Sequence, residues 1–222
     1  METLPYGPDG LLDLHGCRLT LGSGSPRRKQ LLEGLDLPFT VEPVDSLDEH
    51  FYPASTPAQE IPQWLALAKA NAFGRDLSPR EVLLTADTLV FCTDDRPARE
   101  RILGKPATQE EARQMLRRLS GRTHLVITGV CLRTGSSLTF PDGSREHRFC
   151  DTTTVHFAPL SPAEIDFYVK RYRPMDKAGA YGAQEWIGFM GIEKIEGSYF
   201  NVMGLPVQKV WEELRFLCNF AG

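Results

Sequence analysis

Cysteine is sparse and dispersed: Cys17, Cys92, Cys131, Cys150 and Cys218 form no Cys-x-x-Cys pair and no Cys/His cluster at zinc-ligand spacing. Disulfide frameworks belong to small secreted chains, so these thiols read as buried or incidental ones in a reducing cytoplasm. The histidines (His15, His50, His124, His147, His156) are equally scattered, and no Ser/His/Asp constellation assembles around them. No run approaches the roughly 18 apolar residues of a membrane span. The opening "METLPYGPDGLLDLHG" has no basic region followed by an apolar run, so no signal peptide is expected. Basic charge is not in excess either. A net charge of −4 argues against a broad nucleic-acid or membrane-surface binder and confines any anion site to a local patch. Internal repeats and long linkers are absent as well.

With 222 residues and 41% hydrophobic content, the chain can bury the core of one large α/β domain or a two-lobed one. Strand and helix patterns alternate along it. "CRLTLGS" is a short strand that runs straight into "SGSPRRKQLLEGL", a helix start with Ser25 as N-cap, Pro26 at the first position and Gly34 as the stop. Arg27 and Arg28 then occupy the first turn, where the macrodipole favours anions. Either both side chains reach into solvent at small cost, or an anion sits there, held by free backbone N–H groups and two guanidinium forks. The second reading places the anion at a strand's C-terminal end, where open α/β sheets bind ligands.

A second strand, "FTVEP", leads through the acidic loop "VDSLDEHFYP" to Thr56-Pro57-Ala58-Gln59, which has the pattern of a capping box. Ile61, Leu65, Ala68 and Ala72 follow at helical spacing as the expected buried stripe. "EVLLTADTLVFC" is the most apolar strand and is expected to be central, yet Asp87 sits in its middle. Either the strand ends at Ala86 and Asp87 is a turn or cap residue, or a carboxylate lies inside a hydrophobic strand. The latter costs several kcal/mol unless the group is paired, hydrogen-bonded or metal-bound. The apolar pattern resumes at once with Leu89, Val90 and Phe91, which favours an unbroken strand.

Lys105 stands in a Gly-Lys-Pro turn before a helix opened by Thr108 and stopped near Gly121. "HLVITGVCLR" and "HRFCDTTTVHFAPL" read as two long strands joined through a Pro-Asp-Gly turn, and Ser161-Pro162-Ala163-Glu164 is a further capping box. The glycine-dense stretch from Arg173 to Pro206 holds Asp176, Lys177, Tyr181 and Gln184 among small residues, and glycine lets backbone approach a ligand closely. "PVQKVWEELRFL" closes the chain as an amphipathic helix.

These motifs carry a resemblance. "SGSPRRKQLL", "ADTLV", "LGKP", "LSGRTHLVITGV" and "DKAGAYGAQ…IEGSYFNVMGLPV", in that order from about Leu19 to Leu214, resemble the Maf family of nucleoside triphosphate pyrophosphatases. The resemblance implies an α/β fold, a mixed twisted sheet with flanking helices and two lobes around a nucleotide cleft, similar to inosine triphosphate pyrophosphatases. It implies an N-terminal extension over residues 1–18 and a single domain over 19–222. It also implies a cytoplasmic homodimer that acts on a nucleoside triphosphate, with no nucleic-acid or membrane partner. Family enzymes hydrolyse the bond between the α- and β-phosphates with a divalent metal, Mg²⁺ or Mn²⁺. Older naming ties the family to inhibition of septum formation.

Carried over residue by residue, the resemblance puts Ser25, Arg27 and Arg28 at the phosphates, with Arg27 also at a position linked to substrate choice. Glu49 matches a metal-side carboxylate, although the loop before it is slightly longer than usual. Lys69 and Lys105 match phosphate-binding lysines, Asp87 the proton acceptor, and Thr88 and Gln184 two specificity positions. Ala180-Tyr181-Gly182-Ala183-Gln184 resembles the branch acting on dTTP and UTP, whereas the 7-methyl-GTP branch reads Ser-Phe-Lys there. A glutamine amide offers a pyrimidine edge both a donor and an acceptor. Ala183 stands where a bulkier apolar residue is usual, and Glu185-Trp186 where a glycine is common. The implied chemistry agrees with the residues: water attacking the α-phosphorus of a triphosphate needs cations to offset charge and stabilise the leaving pyrophosphate. Arg27, Arg28, Lys69 and Lys105 can supply them, and Asp87 can act as general base or as metal ligand with Glu49. A modified pyrimidine nucleotide, 7-methyl-GTP, and a cell-division regulator that binds nucleotide with vestigial catalysis are the alternative readings.

Overall fold

The computed structural model describes residues 16–44, 52–98 and 101–220. Among them one mixed sheet runs in the order β2 (Phe39–Val41), β1 (Arg18–Leu21), β3 (Glu81–Cys92), β5 (Thr123–Thr134), β6 (Glu146–Phe157), β7 (Ile192–Glu196). The short β4 (Ile102–Leu103) pairs with β3 on the same edge as β1. β2, β1 and β3 are parallel, and the remaining pairings are antiparallel. The strand containing Asp87 is unbroken over twelve residues, so the alternative in which it ends at Ala86 is set aside.

Side chains alternate across β3 and decide how helices cover it. Leu83, Thr85, Asp87, Leu89 and Phe91 face α2 (Ile61–Asn71): Leu89 and Phe91 cluster with Ile61 and Leu65, Leu83 with Ala66 and Ala70, and Thr85 donates to the Ala66 carbonyl at 2.7 Å. The expected capping box at Thr56 is not formed. The chain makes a 3₁₀ turn at Ala58–Glu60, and the α-helix starts only at Ile61. Pro62 is the reason, since a residue without an N–H is tolerated only in a helix's first turn. The buried stripe accordingly runs through Ile61, Leu65, Ala66 and Ala70, while Ala72 lies exposed beyond the helix.

On the opposite face, Val82, Leu84 and Ala86 join a cluster with α1 (Pro26–Glu33) and α7 (Val207–Phe220). Val90 and Cys92 join a second cluster with α3 (Gln109–Leu119), α4 (Pro162–Tyr172) and α5 (Trp186–Gly191). Between these two cores lies a polar seam, where the Thr88 and Thr128 hydroxyls meet at 2.9 Å. The short α6 (Tyr199–Met203) bridges the seam, with Val202 packed against one cluster and Met203 against the other. Its fully buried Asn201 donates to the Val126 carbonyl at 3.1 Å and to Thr153 Oγ1 at 2.9 Å. β6 alternates, with Thr153, Val155 and Phe157 buried and Thr152 exposed.

Gly129 pairs in register with Asp87 and so faces α2 as well. A Cβ there would lie 2.2 Å from the Gln63 backbone nitrogen, so only glycine lets the helix approach this closely. Gly129→Ala is expected to lower the unfolding free energy by about 3 kcal/mol or more. Urea denaturation checks this: a midpoint equal to that of the wild type would mean that α2 can retreat without cost.

Candidate active site

β1 pairs with β3 only as far as Leu84, and β4 pairs with it only from Val90. Residues 85–89 of β3 therefore face a notch in the sheet edge, through which groups from both faces of the strand become accessible. The chain leaves β1 at this notch through Gly22, whose missing side chain matters: a Cβ would sit 2.8 Å from Thr85 Cγ2. A cavity of about 440 Å³ opens here at the C-terminal ends of β1 and β2. Ser25, Arg27, Arg28, Lys69, Asp87, Thr88, Lys105 and Gln184 all line it. Glu49 lies outside the described residues.

The two arginines of the first helical turn are not solvated surface cations. Ser25 caps α1 by accepting the Arg28 N–H at 3.5 Å. The Arg28 side chain turns into the seam, donating from Nε to the Gly204 carbonyl at 2.9 Å, from Nη1 to Ser23 Oγ at 3.3 Å and from Nη2 to Thr88 Oγ1 at 3.2 Å. Arg27 reaches across the cavity mouth to Asp176, with Nη1 2.6 Å from Oδ2. Burial by itself raises the Asp176 carboxyl, but the Lys177 ammonium and the Arg27 guanidinium outweigh it and hold the pKa down to about 2. Asp87, only 4% exposed, forms an ion pair with Lys69 of α2. Lys105 sits in the turn after β4, which the Gly179 N–H ties down through the Gly104 carbonyl at 3.0 Å.

The far end of the cavity is less polar. Val90, Val126, Val202 and Tyr181 form its wall. Tyr181 is fastened from behind by fully buried His124, whose Nε2 is 2.8 Å from the phenol oxygen, and both rings pack edge-on against Phe157. Gln184 borders this end, and its buried Oε1 has no hydrogen-bond partner among the described residues. A buried acceptor left unpaired is costly, so a ligand donor there would satisfy it. Asp176, Lys177, Ser23 and the His124–Tyr181 pair were not singled out as site residues by sequence reasoning. The first two stand in the glycine-dense stretch that marked the region as unusual, whereas nothing local to His124 signals its partner 57 residues away.

A family model described as a Maf-like protein matches residues 18–217. The chain belongs to the Maf family. It is 46% identical over 207 residues to a protein of Phocaeicola vulgatus named dTTP/UTP pyrophosphatase, covering 93% of this chain and 100% of the relative. Maf relatives of the same name from Bacteroides fragilis and Flavobacterium johnsoniae are 46% identical over 209 residues and 45% identical over 200 residues. These matches cover 93% and 90% of this chain and 100% and 95% of the relatives. A solved structure of the Staphylococcus aureus Ham1 protein aligns over 78% of this chain and 90% of its own at 15% identity, with a TM-score of 0.37. At that level it adds nothing to the Maf fold described above. Among the described residues no helix is long and apolar enough to cross a membrane.

Burial pushes the His124 imidazole down to about 3, with the nearby His156 adding to the shift. An unfolded chain takes up that proton near pH 6.5 and the folded chain does not, so this stabilisation is complete above pH 6.5 and is lost as pH falls toward 3. Thermal unfolding midpoints are expected to drop across that window, with a shallower slope in His124→Gln. Parallel slopes for the two proteins would show that His124 does not carry the effect.

Proposed function

We propose that this Maf protein hydrolyses dTTP or UTP between the α- and β-phosphates, releasing the monophosphate and pyrophosphate. The observation that carries the reading is the convergence of Arg27, Arg28, Lys69 and Lys105 with the buried Asp87 on one cavity. Cationic groups of this number suit a triphosphate, and preorganised charge is worth most where water is excluded. The phosphates lie beside the start of α1, where Arg27, Arg28 and the Ser25 turn meet them. There the negative groups also complement the helix dipole. Lys69 and Lys105 flank the reacting phosphate and offset the charge that builds on the departing pyrophosphate. Asp87 takes the proton of the attacking water as its oxygen bonds to the α-phosphorus and the bond to the bridging oxygen breaks.

A divalent cation, Mg²⁺ or Mn²⁺, belongs to this reading. Among the described residues no three His, Cys, Asp or Glu side chains converge, but such ions need only one or two carboxylates when phosphates and waters complete the shell. Asp87 offers a hard oxygen donor inside the cavity and so fits that role. The bound ion would neutralise part of the triphosphate charge.

Base choice falls to the apolar end. Gln184 Oε1, without a partner among the described residues, matches the N3–H of uracil or thymine, whereas N3 of cytosine carries no hydrogen to donate. This supports a pyrimidine of the uracil type over CTP.

Incubation with Mg²⁺ and a panel of nucleoside triphosphates tests the reading through pyrophosphate release. Turnover of dTTP and UTP that is abolished by EDTA is the expected result. Turnover of 7-methyl-GTP alone would replace the base assignment, and tight binding without turnover would favour a regulator. Asp87→Asn is expected to lower kcat by roughly 10²-fold or more with the fold intact, and circular dichroism alongside the assay separates that outcome from unfolding. Gln184→Ala should cost about tenfold in the preference for UTP over CTP. Unchanged relative rates would mean that another group reads the base.

A further inference from the structure

Next to Gln184 lies a charged network, buried except at Asp176, that the proposed chemistry does not use. Lys177, with 9% of its side chain exposed, places Nζ 2.8 Å from Asp176 Oδ1 and 3.0 Å from Glu185 Oε1. The other Glu185 oxygen, Oε2, accepts the hydroxyl of Tyr168. Tyr168 is fully buried on α4, stacked on Tyr172 with ring centroids 5.1 Å apart, and its oxygen accepts the Gly182 N–H at 3.1 Å. Burial first, then the hydrogen bond to Glu185 and that carboxylate's charge, raises the Tyr168 hydroxyl well above its ordinary value, so it remains a donor.

These bonds close around a short loop. Gly182 is held from outside by Tyr168, Glu185 by Tyr168 and Lys177, and the Glu185 N–H returns to the Gly182 carbonyl at 3.0 Å. Only Ala183 and Gln184 lie between the two fastened positions. The side chains that hold the loop pack closely on it: a Cβ on Gly182 would come within 3.0 Å of both Glu185 Cδ and Lys177 Cε. Buried ion pairs seldom add net stability over apolar packing of equal volume, so stability alone is a weak reason for two charges and a phenol here. Geometry is a better one. A single amide can discriminate between bases only if its oxygen is held at hydrogen-bonding distance and angle.

We infer that Tyr168 and Glu185, braced by Lys177, are positioning residues that hold the 182–185 loop so that Gln184 discriminates uracil from cytosine. This deepens the reading of Gln184 given above and rests on it. Tyr168 does not line the cavity and acts only through the loop.

A double-mutant cycle on the full-length protein tests the inference. Tyr168→Phe and Glu185→Gln are each made alone and on Gln184→Ala, and kcat and KM are measured with UTP and CTP. Each single variant is expected to reduce the UTP:CTP ratio of kcat/KM by about tenfold, chiefly through KM for UTP. Neither should change that ratio further on Gln184→Ala. A merely structural role would weaken both substrates alike, and such an equal loss overturns the inference. So does an unchanged ratio, or an effect that persists in full without Gln184. Glu185→Gln keeps the side-chain shape and can still accept from Tyr168, so it decides the matter if Tyr168→Phe does not fold. Should the wild type release no pyrophosphate from any nucleotide, the catalytic reading fails by itself. The same cycle is then read as Kd for α,β-imido UTP and CTP, where a tenfold loss of preference supports the inference and equal wild-type binding of both overturns it.

Discussion

The ion pair between Asp87 and Lys69 organises this molecule. A carboxylate in the middle of the central strand would cost several kcal/mol if left alone. Its cation comes from α2, and α2 can come close because the residue paired with Asp87 across the sheet is Gly129. The alanines at positions 66 and 70 keep the same helix face thin, and Thr85 ties it to the sheet through the Ala66 carbonyl. Strand, helix and glycine thus depend on one another, and a reactive group ends up supported by core packing on one side and open to a cavity on the other.

That opening exists because the sheet edge is incomplete. β1 turns away at Gly22 and pairing with β4 starts six residues further along β3 than the last β1 partner, which leaves the edge unpaired among the described residues at the level of Asp87 and Thr88. The two cores on the opposite face separate at the same level. Arg28 spans the division, bonded to Thr88 on the central strand and to the Gly204 carbonyl after α6. The polar seam is therefore both the boundary of two hydrophobic clusters and the floor of the site, and the Thr88 and Thr128 hydroxyls and the Asn201 amide N–H groups find partners in it.

A second polar chain runs from Arg27 at the cavity mouth through Asp176 and Lys177 to Glu185 and the buried, neutral Tyr168. It joins the proposed phosphate end to the proposed base end without passing through the reacting groups. Each charge touches an opposite one, and for the largely buried Lys177 and Glu185 burial demands it. These contacts link α1, the 176–185 segment and α4.

Local chemistry was legible in the sequence wherever it acts over a few residues. Ser25-Pro26 and Ser161-Pro162 start helices as their side chains dictate, the alternation of β6 assigns its buried face, and Asp87 stands out against its apolar neighbours. At Thr56 the local signal misled, because Pro62 is compatible with a helix only from Ile61 onward. What the sequence could not convey is long-range partnership. That Arg27 meets Asp176, that His124 backs Tyr181, and that Glu185 answers a tyrosine seventeen residues earlier follow from how strands and helices are brought together. The physical reason is that propensities, caps and periodicity are short-range terms, whereas an ion pair or a buried hydrogen bond depends on distance in space. The sequence by itself determined the elements and the reactive residue types; the tertiary structure alone decided which charges neutralise each other and which remain facing the cavity.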